Sequence, residues 1–220
     1  MVAAELLPAI RQAIHANELG SGSPYCLSYA KFGESGASFG IFQGDTHVNS
    51  RALDVLRQVL DASKCDPVVK GRVLTAVTKA CPNGSPLTQD DAELCDNALC
   101  SDAGKRLVDA MDDALLQVVL EHVDKCVAAA ATKGWTIDPT ALLYMALWTN
   151  MTGDPNMLSK WLRGDAVMGI SPPAGPRVTQ SDIERYLKHS SFFVAHPKNF
   201  AHLEESVTEG AKLLPGEAGS

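Results

Sequence analysis

The sequence predicts a mainly α protein with one small β insertion near its N-terminus. Three observations carry that expectation. Apolar residues recur at three- and four-residue steps along most of the 220-residue chain, the spacing of helices that each bury one face. Residues 25–49 break the pattern: Gly33, Gly36, Gly40 and Gly44 alternate with aromatic and β-branched residues, as turns and one or two short strands do. The stretch from Ser101 to Thr132 is the longest periodic segment, long enough to stand at the centre of the other helices.

A first helix places Ile10, Ala13 and Ile14 on one face and runs to about Glu18. Gly20-Ser21-Gly22-Ser23-Pro24 then stops it, because a Gly-rich stretch followed by Pro cannot continue a helix. The Gly-rich segment follows, the only one that reads as sheet. Helices come next at 50–62, carrying Leu53, Leu56, Val59 and Leu60, then at 67–80 and 87–98. Thr88 with Asp91 three residues on is a capping-box variant for the last of these. In the long helix Val108, Met111, Leu115, Val118, Val119, His122, Val123 and Cys126 mark the apolar stripe, and its end is almost all Ala. Small residues there let neighbours approach closely, so this helix is expected to be central and largely enclosed, with His122 a hydrogen-bonded core histidine. Helices at 138–150, 154–163, 179–190 and 199–213 complete the fold. Gly169–Pro176 reads as a loop and Pro215–Ser220 as a flexible tail, leaving residues 1–214 as a single domain.

Composition narrows the classes. Hydrophobic residues make up 45% and charged residues 20%, enough core and little enough charge to exclude wholesale disorder. Lys plus Arg number 19 against 26 for Asp plus Glu, a net charge of −7 without any basic run, so nucleic acid and anionic membrane surfaces are not expected partners. The longest apolar run, Ala141–Trp148, falls far short of the roughly 20 residues that span a bilayer. Glu5 interrupts the N-terminal apolar stretch and no basic segment precedes it, so the N-terminus does not read as a secretory signal; either the protein is not exported by that route or the signal has been removed. Six cysteines form an even set, Cys26, Cys65, Cys81, Cys95, Cys100 and Cys126. At least one disulfide is expected from such a set, with the pairing open, and zinc is not, since no C-x-x-C pair or nearby His supplies ligand spacing. No metal site and no cofactor are expected. Ser-His-Asp, P-loop and dinucleotide patterns are missing from the sequence.

Carboxylates are the candidate chemistry. Glu18 closes an amphipathic helix beside a Gly/Ser break, and Glu34 and Asp45 lie in the Gly-rich stretch. A helix end facing a small sheet is a setting in which one carboxyl stays protonated while others ionise, and glycosidic cleavage needs a protonated acid and usually a second acidic group.

The run Gly33-Glu34-Ser35-Gly36-Ala37-Ser38-Phe39-Gly40-Ile41-Phe42-Gln43-Gly44-Asp45 resembles the goose-type lysozyme and lytic transglycosylase group of the lysozyme superfamily. Those enzymes carry a Glu at a helix end and then a Gly-rich hairpin with a G-[LIM]-[MF]-Q core, here Gly40-Ile41-Phe42-Gln43. The resemblance covers about 30 residues closely and implies a lysozyme-like fold. It implies Glu18 as catalytic general acid, Glu34 and Asp45 as acids that activate water, and Gln43, Phe42 and Ser38 as saccharide contacts. A later family motif corresponds to Trp148-Thr149-Asn150-Met151-Thr152-Gly153, which adds Asn150 as a contact. The family's Tyr position there holds Thr149, and Tyr144 is the substitute contact upstream. Leu19 stands where many relatives have Ser.

The activity so implied is a muramidase cutting the β-1,4 bond between N-acetylmuramic acid and N-acetylglucosamine. Carboxyls on different elements, roughly 6.5–9.5 Å apart, would leave room for a water and invert the anomer. A lytic transglycosylase, needing only Glu18, a chitinase or chitosanase, and a glycan-binding module without turnover are the alternatives. Peptidoglycan or a related glycan is the expected partner of a monomer, and an inhibitor or immunity protein would suit such an enzyme. A periplasmic or secreted setting follows from the same resemblance.

Overall fold

The computed structural model describes residues 1–29, 35–153 and 156–216. Glu34 and residues 217–220 of the expected tail therefore lie outside the described residues. In chain order a 3₁₀ turn (Ala4–Leu6) leads into α1 (Leu7–Leu19), then β1 (Ser28–Tyr29), β2 (Ala37–Phe39) and β3 (Gly44–Asp45). Helices α2 (Ser50–Ala62), α3 (Pro67–Val77), α4 (Gln89–Cys100) and α5 (Asp102–Ala131) follow. Then come β4 (Thr136–Ile137), α6 (Pro139–Thr152), α7 (Asn156–Leu162) and β5 (Arg177–Val178). The chain closes with α8 (Gln180–Lys188), α9 (Ser191–Ala195) and α10 (Pro197–Ala211). The mainly helical class is as expected, and no helix among the described residues is long and apolar enough to cross a membrane.

The chain divides into two compact units, Ser21–Leu115 and the combination of Met1–Gly20 with Leu116–Ser220. In the first, β1, β2 and β3 form an antiparallel sheet with Ser28 opposite Ser38 and Ser38 opposite Asp45. It is three-stranded where one or two strands were expected. The core of this unit gathers Ala37 and Phe39 of β2 with Leu56, Val59 and Leu60 of α2, Val73 and Val77 of α3, Leu99 of α4, and Val108 and Met111 of α5. Helix α2 buries Ala52, Val55, Leu56, Val59 and Leu60, the i, i+3, i+4, i+7, i+8 stripe of an amphipathic helix. Asn49 caps it by accepting from the Arg51 and Ala52 amides, and Asp66 caps α3 likewise. Thr88 caps α4 through the Asp91 amide. The other half of the expected box is diverted, because the buried Asp91 carboxylate takes a two-pronged contact from Arg72 of α3 at 2.9 and 2.6 Å.

In the second unit α1 lies along α10 and α6. Gly210 explains the closeness of α10: a Cβ there would sit 2.6 Å from the Ala9 carbonyl and 2.7 Å from the Ala13 methyl. Helix α6 is buried on every side from Ala141 to Leu147, the pattern of a helix with no solvent face. It, rather than α5, is the enclosed helix; α5 is the longest, as expected, but leaves Val118 half exposed. His122 is a further correction, since its Nδ1 is buried without a hydrogen-bond partner among the described residues.

Two short features of this unit escape periodicity. Strands β4 and β5 pair in parallel, Thr136 with Arg177 and Ile137 with Val178, a second sheet where none was expected. The helix expected over 179–190 ends at Lys188, and Ser190 caps a separate α9 through the Phe193 amide. A full capping box, Thr179 with Asp182, opens α8.

Candidate functional site

Glu18 stands in the last turn of α1, whose C-cap Gly20 takes φ 59°. Burial of Ala9, Ile10, Ala13 and Ile14 fixes the helix, so its end is placed by packing rather than by surface contacts. Glu18 itself is half-buried. Its Oε1 accepts from Asn150 Nδ2 at 2.8 Å and from Asn17 Nδ2 at 3.2 Å. Oε2 has no hydrogen-bond partner among the described residues. Asn150 reaches it from the last turn of α6, and His202 of α10 contacts the Asn17 carbonyl at 2.9 Å. Burial raises the Glu18 pKa above the ordinary carboxylate value, while the two Asn donors and the His202 charge pull it partly back. A raised carboxyl keeps its proton further toward neutrality, the property a general acid requires. With Oε1 occupied by two donors, the proton belongs on Oε2.

Of the other expected site residues, Tyr144 goes elsewhere: it is buried on α6 and its hydroxyl donates to Glu184 at 3.0 Å. Burial and the Glu184 carboxylate both raise its pKa. Tyr144, Glu184, Gln180, Glu204 and Thr208 line a separate polar cavity of about 280 Å³. Two tryptophans pack against protein: Trp161 is fully buried and donates to the Ser171 carbonyl, and the Trp148 ring lies tilted against Phe193 with centroids 5.8 Å apart.

Ser38, Phe42, Gln43 and Asp45 are grouped on the sheet of the other unit. The turn Gly40–Gln43 joins β2 to β3. Gly40 has φ 78°, and a Cβ there would lie 2.6 Å from Asp112 Oδ1, so both conformation and space call for glycine. The Asp112 carboxylate, on α5 and fully buried, accepts the Ile41 amide at 2.9 Å and the Phe42 amide at 3.5 Å. Gln43 takes φ 49° and braces the turn at both ends of its amide. Its Oε1 accepts from the Ser28 hydroxyl at 2.5 Å and its Nε2 donates to the Gly40 carbonyl at 3.1 Å. Phe42 is half-buried, and Ser38, also half-buried, pairs through its backbone on both sides. Asp45 Oδ1 accepts the Gly36 amide at 3.0 Å and the His47 amide at 2.8 Å, which makes it a turn brace.

Asn17, His202 and Asp112 are the residues that sequence reasoning missed. Only Asp112 left a trace: it falls four residues after Val108 on the apolar stripe of α5, where a carboxylate needs buried donors. Among the described residues, no group of three or more His, Cys, Asp or Glu side chains could hold a metal ion. All six cysteines are free thiols.

No family model matches the chain, and no curated protein or solved structure shows significant similarity to it.

Proposed function

We propose that this protein is a glycosidase of the muramidase type, cleaving the β-1,4 bond between N-acetylmuramic acid and N-acetylglucosamine with Glu18 as general acid. One observation carries the reading. The Glu18 carboxyl is raised by burial at a helix end and oriented through Oε1 by Asn150, which leaves Oε2 to protonate the leaving oxygen. The resemblance of Gly33–Asp45 to the goose-type lysozyme group supports the substrate class. The same resemblance implies Glu34 and Asp45 as the acids that would activate water in an inverting hydrolase.

A transglycosylase is the second reading, and Asp45 favours it. An aspartate engaged by two backbone amides is a weakened base, and a transglycosylase needs only Glu18 with the muramyl 6-hydroxyl as internal nucleophile. Digestion of purified peptidoglycan with mass analysis of the products separates the two. Reducing ends of inverted configuration are expected of the hydrolase and 1,6-anhydro ends of the transglycosylase; no soluble product from the folded protein would refute both.

A further inference from the structure

Cys26 and Cys100 belong to segments that the fold brings together, although about 75 residues separate them in the chain. Two neighbouring contacts hold their segments together. Cys100 Sγ donates to the Tyr25 carbonyl at 3.4 Å, and the Leu27 amide donates to Asp96 Oδ1 at 2.8 Å. The residues on either side of Cys26 are therefore both tied to the last turns of α4, which sets Cys26 beside Cys100. All of these contacts lie within the unit Ser21–Leu115.

The other cysteines are placed differently. Cys81, Cys95 and Cys126 are buried. Cys126 Sγ contacts the Ser159 hydroxyl at 3.2 Å and Cys81 Sγ the Lys79 carbonyl at 3.1 Å. Cys65 Sγ faces the Asp66 carbonyl at 3.6 Å. Cys100 is exposed and Cys26 partly so, so this pair combines chain segments tied to each other with access for a reagent.

We propose that Cys26 and Cys100 are a dithiol–disulfide site, oxidised by a soluble disulfide of the glutathione class. The exposed Cys100 thiolate attacks one sulfur of the oxidant, forming a mixed disulfide and releasing one thiolate. The Cys26 thiolate then attacks the Cys100 sulfur, forming the Cys26–Cys100 bond and expelling the second thiolate. Two protein thiols are oxidised, one external disulfide is reduced to two thiols, and the two protons lost by the cysteines end on those thiols. Burial and the Asp96 charge raise the Cys26 thiol pKa, so the resolving step quickens as pH rises. The bond would fasten the segment entering β1, whose Ser28 braces Gln43.

The test is equilibration of the intact protein in buffers of graded reduced-to-oxidised glutathione ratio, followed by alkylation and peptide mapping. The expected result is loss of two titratable thiols and a single linked peptide joining Cys26 to Cys100. Closing so long a loop should raise the melting temperature by roughly 5–10 °C, reversibly with dithiothreitol. Cys26→Ser and Cys100→Ser proteins should each lose the oxidant-dependent rise, and Cys81→Ser should keep it. Six thiols surviving full oxidation, a lasting glutathione adduct on Cys100, or a linkage between any other pair would overturn the proposal. The mapping uses the wild-type chain, so it decides even if a variant fails to fold.

Discussion

At Glu18 two physical effects oppose each other: burial disfavours the charge, and the amide donors of Asn17 and Asn150 favour it. Burial dominates. The proposed role makes Glu18→Gln lose 10²-fold or more of peptidoglycan release with the fold unchanged, because an amide cannot donate the required proton. An active, well-folded variant would end the assignment. The same shift has a stability sign. An acid whose folded pKa is raised favours the fold fully below its unfolded pKa and loses that contribution as pH rises through the folded one. At neutral pH Glu18→Gln should therefore melt above wild type, and the gap should close below about pH 4; equal melting temperatures at pH 7 would argue against the raised pKa. Asn150→Leu removes a donor to the carboxylate while keeping water out, so the alkaline limb of the pH–rate profile should move to higher pH. An unmoved limb would show that Asn150 does not tune the acid. The position of Glu18 at a helix end was legible in the sequence because a Gly break after an amphipathic helix is a local signal. Its partner was legible only as a candidate sugar contact, since the Asn150 bond spans 132 residues of chain and leaves no local pattern.

At the scale of elements, the β2–β3 turn depends on a helix that follows it by some seventy residues. Asp112→Ala would strand the Ile41 and Phe42 amides; a buried donor left without its acceptor costs about 1–3 kcal/mol, so the pair should lower unfolding free energy by roughly 2–6 kcal/mol in a denaturant titration. Gly40→Ala meets the same carboxylate and a positive φ, and a loss of about 2 kcal/mol or more is expected. Either variant at wild-type stability would mean the turn is held otherwise. Local chemistry made the Gly-Ile-Phe-Gln turn readable, together with α2, α3 and α4, whose stripes and caps lie within a few residues. Readability failed where an element is too short for a period to show, as in β4 and β5. It failed also where a cap interrupts an apolar run, as Ser190 does between α8 and α9. The Thr88 box failed in its second half for another reason: Arg72 outcompeted the cap for Asp91.

The whole chain holds two compact units, and its spectroscopic reporters are unevenly shared between them. Trp135, Trp148 and Trp161 all belong to the unit that contains α6, and the unit Ser21–Leu115 has no tryptophan. Tryptophan fluorescence therefore watches one unit, and far-ultraviolet circular dichroism watches both. Asp112→Ala, a lesion in the unit without tryptophan, should move the circular-dichroism midpoint toward lower denaturant more than the fluorescence midpoint. Coincident midpoints would show that the two units unfold as one cooperative body. The burial of α6 on every side bears on how variation at this locus would be read. A saturation scan scored by activity should find a dense band of losses over Ala141–Leu147, in the helix that presents Asn150 to Glu18. Divided by the amount of folded protein, those losses should vanish, because a truncated side chain there, costing about 2–5 kcal/mol for Leu→Ala, lowers abundance and leaves the chemistry of each surviving molecule intact. Under the proposed role, loss that survives the division should concentrate at Glu18 and Asn150, so the two kinds of defect would be told apart by dose.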